Sequence, residues 1–129
     1  LYEDVRSYSV RRSDMESILT STKKLSGVMK GYEYFDDEIV MYINSVFLIL
    51  KQLGVGPSEG FIITGESETW KDFLPDDKDR VLRESLKSYM GAKVCLQFDP
   101  PTNSTLLEAK QRIVDEIEWR LNIEADPSN

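Results

Sequence analysis

The sequence of 129 residues predicts an all-α protein, a four-helix bundle-like domain with a long loop between its second and third helices. In four stretches the apolar residues recur at three- and four-residue intervals, which is the spacing of one face of an α-helix. Glycine or proline follows each of the first three stretches, where either residue can end a helix. Residues 54–74 have no helical period and contain four of the seven glycines, so they are expected to form the loop.

The first helix is expected over residues 14 to about 30, with Gly31 as its stop. Ser13 and Glu16 have the spacing of a capping box, in which each side chain binds a free N–H at the helix start. The apolar face that follows comprises Met15, Ile18, Leu19, Leu25, Val28 and Met29. The preceding residues, 1–13, are expected to be a flexible arm that could form a short strand or dock on a partner.

The second helix, over residues 37–53, is expected to lie at the centre of the bundle. Asp36 is the predicted N-cap, with Phe35 and Val40 packed together around it, and Gly54 is the predicted end. One apolar face comprises Ile39, Val40, Ile43, Val46, Phe47, Leu50 and Leu53. Four further apolar residues cover much of the remaining circumference, namely Met41, Tyr42, Leu48 and Ile49. A helix with so much apolar surface needs cover from either the long loop or a neighbouring subunit.

The loop and the third helix follow. Trp70, Phe73 and Leu74 are expected to form a short helical turn that seals one end of the core. The third helix is expected to begin near Pro75 or Asp76 and to end at Asp99-Pro100-Pro101. Its apolar face comprises Val81, Leu82, Leu86, Tyr89, Met90, Val94 and Phe98. Two small residues in its middle, Gly91 and Ala92, predict that another helix crosses closely there.

The fourth helix is expected from Asn103 or Ser104 to Asn122, with residues 123–129 as a loose tail. Its apolar residues are Leu106, Leu107, Ile113, Val114, Ile117, Trp119 and Leu121. Trp119 lies beside Arg120, away from Ile113 and Ile117. Tryptophan and arginine are enriched at the energetic centres of interfaces. The residues alone leave two alternatives open for Trp119: a partner contact, or packing on the edge of its own bundle.

The charge distribution and the missing residue types narrow the function. The net charge is −7, with +2 on residues 1–30 and −9 on residues 31–129. An acidic body lacks the basic footprint that holds nucleic acid, although it suits a surface past which nucleic acid slides. No apolar run approaches the ~20 residues that cross a bilayer. The single cysteine, Cys95, is interpreted as a structural thiol in a reducing compartment.

Catalysis is disfavoured because the chain has no histidine, the commonest general base and metal ligand. The carboxylate runs at residues 36–38 and 76–79 are interpreted as helix starts. Consecutive helical side chains point about 100° apart, so these carboxylates diverge and do not form a metal site. No catalytic, cofactor-binding or metal-binding residue is predicted. A histidine-free carboxylate hydrolase is the weakest alternative, since two distant carboxylates could still meet in space.

Several segments resemble tailed-phage head–tail connector proteins, also described as head completion or adaptor proteins. The resemblance covers about residues 34–122 and rests on FDDEIVMYINSVFLILKQLGVGP, on W-x-D-F-L at 70–74, on VCLQFDPP and on EIEWRLN. Its most specific pieces are residues 52–56, 98–101 and 118–122. Residues 1–33 depart from the family pattern, since they are longer and more basic than is usual.

The resemblance implies a structural protein of the virion, assembled in the host cytoplasm, without catalysis or cofactor. Such proteins form a ring, typically of twelve copies, that docks under the portal and extends the DNA channel toward the tail. The implied partners are further copies of the chain, the portal protein, and a tail-side stopper or tail completion protein. Double-stranded DNA would pass through without specific contacts. The alternative function is a cytosolic helical protein–protein interaction module.

The resemblance also suggests which residues make contacts. The connector domain would span residues 14–122, between the arm, 1–13, and the tail, 123–129. The expected portal contacts are Trp119, Arg120, Leu121, Asn122 and Ile123. The expected contacts with a ring neighbour or the tail side are Met41, Tyr42, Leu48, Ile49, Phe61, Ile63 and Trp70.

Overall fold

The computed structural model describes residues 15–28 and 32–125. Its helices are α1 (Ile18–Leu25), α2 (Asp36–Gln52), α3 (Trp70–Phe73), α4 (Arg80–Phe98) and α5 (Ser104–Ala125), and a 3-10 turn, Asp77–Asp79, leads into α4. The described ranges contain no strand, so the predicted all-α class is confirmed. The predicted short turn at Trp70 is present as α3. The predicted arm and the predicted start and end of the first helix fall outside the described residues.

Helix α1 is shorter than the pattern predicted. It begins at Ile18 because the Oγ of Ser17 accepts the N–H of Thr20 at 3.2 Å, and Met15 and Glu16 precede it without helical structure. The predicted helix over residues 14 to about 30 is therefore wrong for residues 15–17 and 26–28, whereas Ser13 of the predicted capping box is outside the described residues. The chain is held outside the helix at this point because Ile18 donates its N–H to the carbonyl of Glu68 at 3.0 Å. The two residues are 50 positions apart in the sequence, so a local sequence pattern cannot predict this contact.

The ends of α2 differ in how well they were predicted. Phe35 occupies the cap position and Asp36 is the first helical residue, so the predicted Asp36 cap is wrong. The carboxylate of Asp36 instead forms an ion pair with Lys23 of α1, with 2.7 Å between Oδ1 and Nζ. At the other end Gly54 has a φ of 85°, and Val55 donates to the carbonyl of Leu50 at 2.8 Å. This left-handed glycine closes the helix as predicted.

Helix α4 packs against α1, α2 and α5. It begins at Arg80 and not near Pro75 or Asp76, because the intervening residues form the tighter 3-10 turn. A methyl group placed on Gly91 would lie 2.6 Å from the Cβ of Leu25 in α1. The predicted close crossing at Gly91 is therefore confirmed.

The core lies between these helices and the loop. Its fully or nearly fully buried members from α1, α2 and α4 are Ile18, Leu19, Ile39, Ile43, Val46, Phe47, Leu50, Leu86, Tyr89, Met90 and Val94. The loop, α3 and α5 add Val55, Ile63, Trp70, Phe73, Leu74, Val114 and Leu121. Among the described residues no helix is long and apolar enough to cross a membrane.

Helix α5 extends to Ala125. The tail was expected to be loose from residue 123, and this is wrong for residues 123–125. Residues 126–129 are outside the described part of the chain. The helix lies at the edge of the bundle, where α4 is its main neighbour.

Candidate partner-binding surfaces

Most of the described apolar side chains of helix α5 are exposed. Among its described side chains only Val114 and Leu121 are buried, with 0% and 7% exposed, whereas Leu106 is 57% exposed and Ile113 54% exposed. Leu106 and Ile113 were named among the apolar residues of the predicted fourth helix, and the structure leaves both in solvent. The sequence does contain the distinction between the two sets. Leu107, Val114 and Leu121 form one series at seven-residue intervals, and a second series starts at Leu106.

The exposed apolar residues of α5 form two separate surfaces. Successive residues turn by about 100°, so Leu106 and Ile113 share one edge of the helix, beside the buried stripe. By the same rule Trp119 and Ile123 share the side that faces away from Val114. Trp119 is 63% exposed, so it does not pack into the bundle. We call the first surface the α5 edge stripe and the second the Trp119 surface.

The predicted portal-contact segment divides between surface and core. Arg120 is exposed and its guanidinium binds the carboxylate of Glu116 at 2.8 Å. Asn122 and Ile123 are exposed, whereas Leu121 is 7% exposed and packs in the core. Leu121 is therefore corrected from a contact residue to a core residue, because it continues the buried series on the α4-facing side. The contact role of the other four residues stays a prediction.

Two of the surplus apolar residues of α2 face solvent. Met41 is 59% exposed and Leu48 is 56% exposed, one two-turn interval apart. Tyr42 and Ile49 are half-buried. The hydroxyl of Tyr42 donates to Glu38 at 2.9 Å, and this hydrogen bond, with partial burial, raises the pKa of Tyr42 above its usual value. Either the long loop or a neighbouring subunit was predicted to cover these extra apolar residues of α2. The loop reaches only the end of this exposed surface at Leu48.

An open groove lies between α2 and the loop. Its volume is about 310 Å³, and its apolar lining comes from Phe47, Leu48, Phe61 and Ile62. Ile62 is 67% exposed and was not among the predicted contact residues. Lys51 and Glu59 lie on the same groove, so it carries one charge of each sign. The groove joins the exposed part of α2 to the exposed part of the loop.

The loop itself is held firmly on the helices. The Asn44 side chain of α2 accepts the N–H of Ile63 at 2.8 Å and donates to its carbonyl at 3.0 Å, as a neighbouring strand would. This places the Ile63 side chain in the core at 1% exposed, so its predicted role as a contact residue is wrong. The half-buried ring of Phe61 packs on Phe47, with 5.1 Å between the ring centres.

Trp70 is the second loop residue that was assigned wrongly to a contact. It is fully buried, and its Nε1–H donates to the Oγ of Ser21 in α1 at 2.8 Å. The cause is the capping box at Thr69 and Asp72, which starts α3 and turns the indole inward. Sequence analysis recognised the turn and its sealing role, so the core assignment of Trp70 could have been taken from that.

A carboxylate organises the end of the loop. Glu68 accepts hydrogen bonds from the N–H and the hydroxyl of Thr64, both at 2.9 Å, and from the N–H of Gly65 at 3.4 Å. Burial by itself would raise the pKa of Glu68, but the hydrogen bonds to its charged form outweigh burial and the net pKa is lowered. The ionised carboxylate therefore stabilises this turn.

A buried arginine, Arg83, fixes the segment between α3 and α4. It is 1% exposed, and its guanidinium donates to the carbonyls of Leu74 and, at 2.8 Å, Asp76. Sequence analysis missed Arg83. The signal was its place in the apolar series of α4, three residues before Leu86, where an arginine needs internal partners.

The polar contacts between α4 and α5 are concentrated at Glu118. It accepts the hydroxyl of Tyr89 at 2.8 Å and pairs with Lys93 at 2.8 Å. Burial, then the neighbouring carboxylate, raises the pKa of Tyr89 well above its usual value, so the phenol stays a donor. These groups hold α5 on α4. Within residues 15–28 and 32–125 no cluster of histidine, cysteine and carboxylate side chains could hold a metal ion.

Comparison with known protein families identifies the family of this chain. A family model described as "Phage connector protein" matches residues 18–128. Searches of curated proteins and of solved structures found no match.

Proposed function

Because this chain belongs to the phage connector protein family, we propose that it forms a ring that docks on the portal and extends the DNA channel toward the tail. The role is structural and needs no cofactor. The proposal places the protein in the virion, at the head–tail interface, after assembly in the host cytoplasm. Its partners are further copies of the chain, the portal protein, and a stopper or completion protein on the tail side.

The observation that carries this proposal is the exposed apolar surface on two different helices. Every subunit of a ring needs two different surfaces, one for each neighbour. Met41 and Leu48 on α2 supply one candidate, and the α5 edge stripe, Leu106 and Ile113, supplies another. Exposed apolar patches are typical of protein–protein interaction sites.

The Trp119 surface is our candidate for the portal contact. It joins Trp119 to Asn122 and Ile123 near the end of α5 and faces away from the core. A tryptophan that reaches a pocket on a partner is the commonest kind of interface hot spot. Arg120 lies between this surface and the α5 edge stripe.

The charge of the protein supports passage of DNA without retention. The net charge is −7. A channel lined by carboxylates repels the phosphate backbone, whereas a basic channel would bind it in a salt-dependent way.

Cryo-electron microscopy of the parent particle tests the ring directly. We expect density for this chain directly beneath the portal, in as many copies as the symmetry there allows. Density in the tail tube, or absence of the chain from virions, would refute the proposed function.

Replacing Trp119 with alanine tests the portal contact. Removal of a hot-spot side chain costs at least about 2 kcal/mol, so portal binding should weaken at least about 30-fold and heads should fail to join tails. The helical circular dichroism should not change, because Trp119 is 63% exposed. Val81→Ala is the matched control, since Val81 is 73% exposed and lies outside this surface. Normal head–tail joining by the Trp119 variant would remove this residue from the contact.

A further inference from the structure

The exposed apolar residues of α2 and α5 have the same spacing. On α2 and the turn before it, Tyr34, Met41 and Leu48 follow at seven-residue intervals, with 79%, 59% and 56% of each side chain exposed. On α5 the residues at the same interval are Leu106, Ile113 and Arg120, all of them exposed. Seven residues are about two helical turns, or ~10.5 Å, so two such rows can meet side by side at every second turn.

We infer that these two rows bind each other between neighbouring copies of the chain, with α2 of one copy antiparallel to α5 of the next. This rests on the ring proposed above and names its subunit contact. Leu48 meets Leu106 beside the groove at Ile62, and Met41 meets Ile113. Because each copy carries both rows on different helices, the contact repeats from copy to copy.

Charge sets the antiparallel direction. In that direction Arg120 reaches the start of α2, where Asp37 is exposed and the Tyr34 ring stands in solvent. The guanidinium, which already pairs with Glu116 of its own helix, gains there a second carboxylate and an aromatic face. In the parallel direction, with Met41 still opposite Ile113, Arg120 would lie beside Leu48, one turn from Lys51, and find neither group. The acidic first turn of α2 is complementary to Arg120 only when the helices run in opposite directions.

Small residues between the contact points allow the helices to approach. Ser45 lies between Met41 and Leu48 on the exposed side of α2, and Ala109 lies between Leu106 and Ile113 on α5. Neither residue holds the opposite helix away, so the longer side chains can interdigitate.

Disulfide trapping tests both the contact and its direction. The variant Met41→Cys/Ile113→Cys tests the contact, because these central positions face each other whichever way the two helices run. Under mild oxidation of assembled particles it should form a reducible ladder of dimers, trimers and larger species on a denaturing gel. Leu48→Cys/Leu106→Cys tests the direction and should give the same ladder, because these positions meet only when the helices are antiparallel. Leu48→Cys/Arg120→Cys tests the parallel direction and should give little ladder, since in the antiparallel contact these positions would be about 21 Å apart, beyond the reach of a disulfide. Each variant with one added cysteine should stay monomeric on the gel. The native Cys95 is buried and is present in every variant, so it is controlled for.

The other outcomes overturn the inference in different ways. A ladder from the Leu48/Arg120 pair but not from the Leu48/Leu106 pair would mean parallel helices, and dimers from a variant with one added cysteine would mean a two-fold contact of a row with itself. Particles that contain the chain beneath the portal but give no ladder from the Met41/Ile113 pair refute this contact and leave the ring in place. Particles made with the unchanged chain that lack it refute the ring itself.

Discussion

Replacing Gly91 with alanine should loosen the contact between α1 and α4. The added methyl group would lie 2.6 Å from the Cβ of Leu25. Carbon atoms pack at about 3.5–4.0 Å, so the two helices would have to separate by about 1 Å. Such overpacking costs about 1–3 kcal/mol. The hydrogen bond from the Oγ of Ser26 to the carbonyl of Gly91, now 3.3 Å, would lengthen further at a cost of about 1 kcal/mol.

Helix propensity acts in the opposite direction, because alanine is favoured over glycine inside a helix by roughly 1 kcal/mol. The net expectation for Gly91→Ala is a loss of about 1–3 kcal/mol in the free energy of unfolding. Urea unfolding followed by circular dichroism measures it, with an unchanged dependence on urea concentration.

Gly65→Ala is the matched control. Nothing lies within 4 Å of a methyl group at Gly65, and its φ is outside the left-handed range. We expect a change within about 1 kcal/mol, in the stabilising direction. If Gly91→Ala were as stable as the natural chain or more stable, the close crossing of α1 and α4 would be refuted.

Three further variants test how the loop and its neighbours are held. Asn44→Ala removes both hydrogen bonds to the Ile63 backbone, so it should cost about 1–3 kcal/mol and speed proteolysis of the loop; an unchanged digestion rate would contradict this. Arg83→Met leaves buried carbonyls without their donor, so the free energy of unfolding measured in urea should fall by about 2–3 kcal/mol. A loss below about 0.5 kcal/mol would contradict this. The pKa of Glu68 is lowered in the folded chain, so its stabilisation is present above the unfolded value of 4.5 and is lost as the pH falls through the folded value. Glu68→Gln should therefore flatten the fall in stability on acidification; equal slopes for both proteins would refute this.

The end of α2 and the close crossing of α4 with α1 could be predicted because their signals are local. Gly54 adopts the left-handed conformation that ends α2, and Gly91 leaves the space in which α1 crosses α4. In both cases glycine acts directly at its own position, either by its backbone conformation or by the absence of a side chain. A single position therefore contains the information.

The start of α1 and the interior of the loop could not be predicted, because distant groups determine them. The N–H of Ile18 donates to the carbonyl of Glu68, and α1 begins at Ile18 although the sequence pattern predicted helix from residue 14. Asn44 likewise draws Ile63 into the core. Hydrogen bonds between parts of the chain that are far apart in sequence leave no periodic pattern in it.

The candidate surfaces were predicted in part. Met41 and Leu48 were identified as surplus apolar residues, and the structure exposes both. For Leu106 and Ile113 the sequence predicted only that they are apolar residues of the fourth helix, because a helical pattern does not state how many neighbours the helix has. Since α5 packs mainly on α4, only one of its two apolar rows is covered. The number of neighbours depends on the arrangement of all the helices.

The double hydrogen bond between Asn44 and Ile63 also has a mechanical consequence. The exposed Ile62 is one residue from this attachment, and Glu68 ties the end of the same loop to Ile18 in α1. Almost no free chain lies between Ile62 and this attachment. A force applied to Ile62 would therefore be transmitted directly to α2. A partner that binds this loop would therefore be attached rigidly to the helices, although its contact is with a loop.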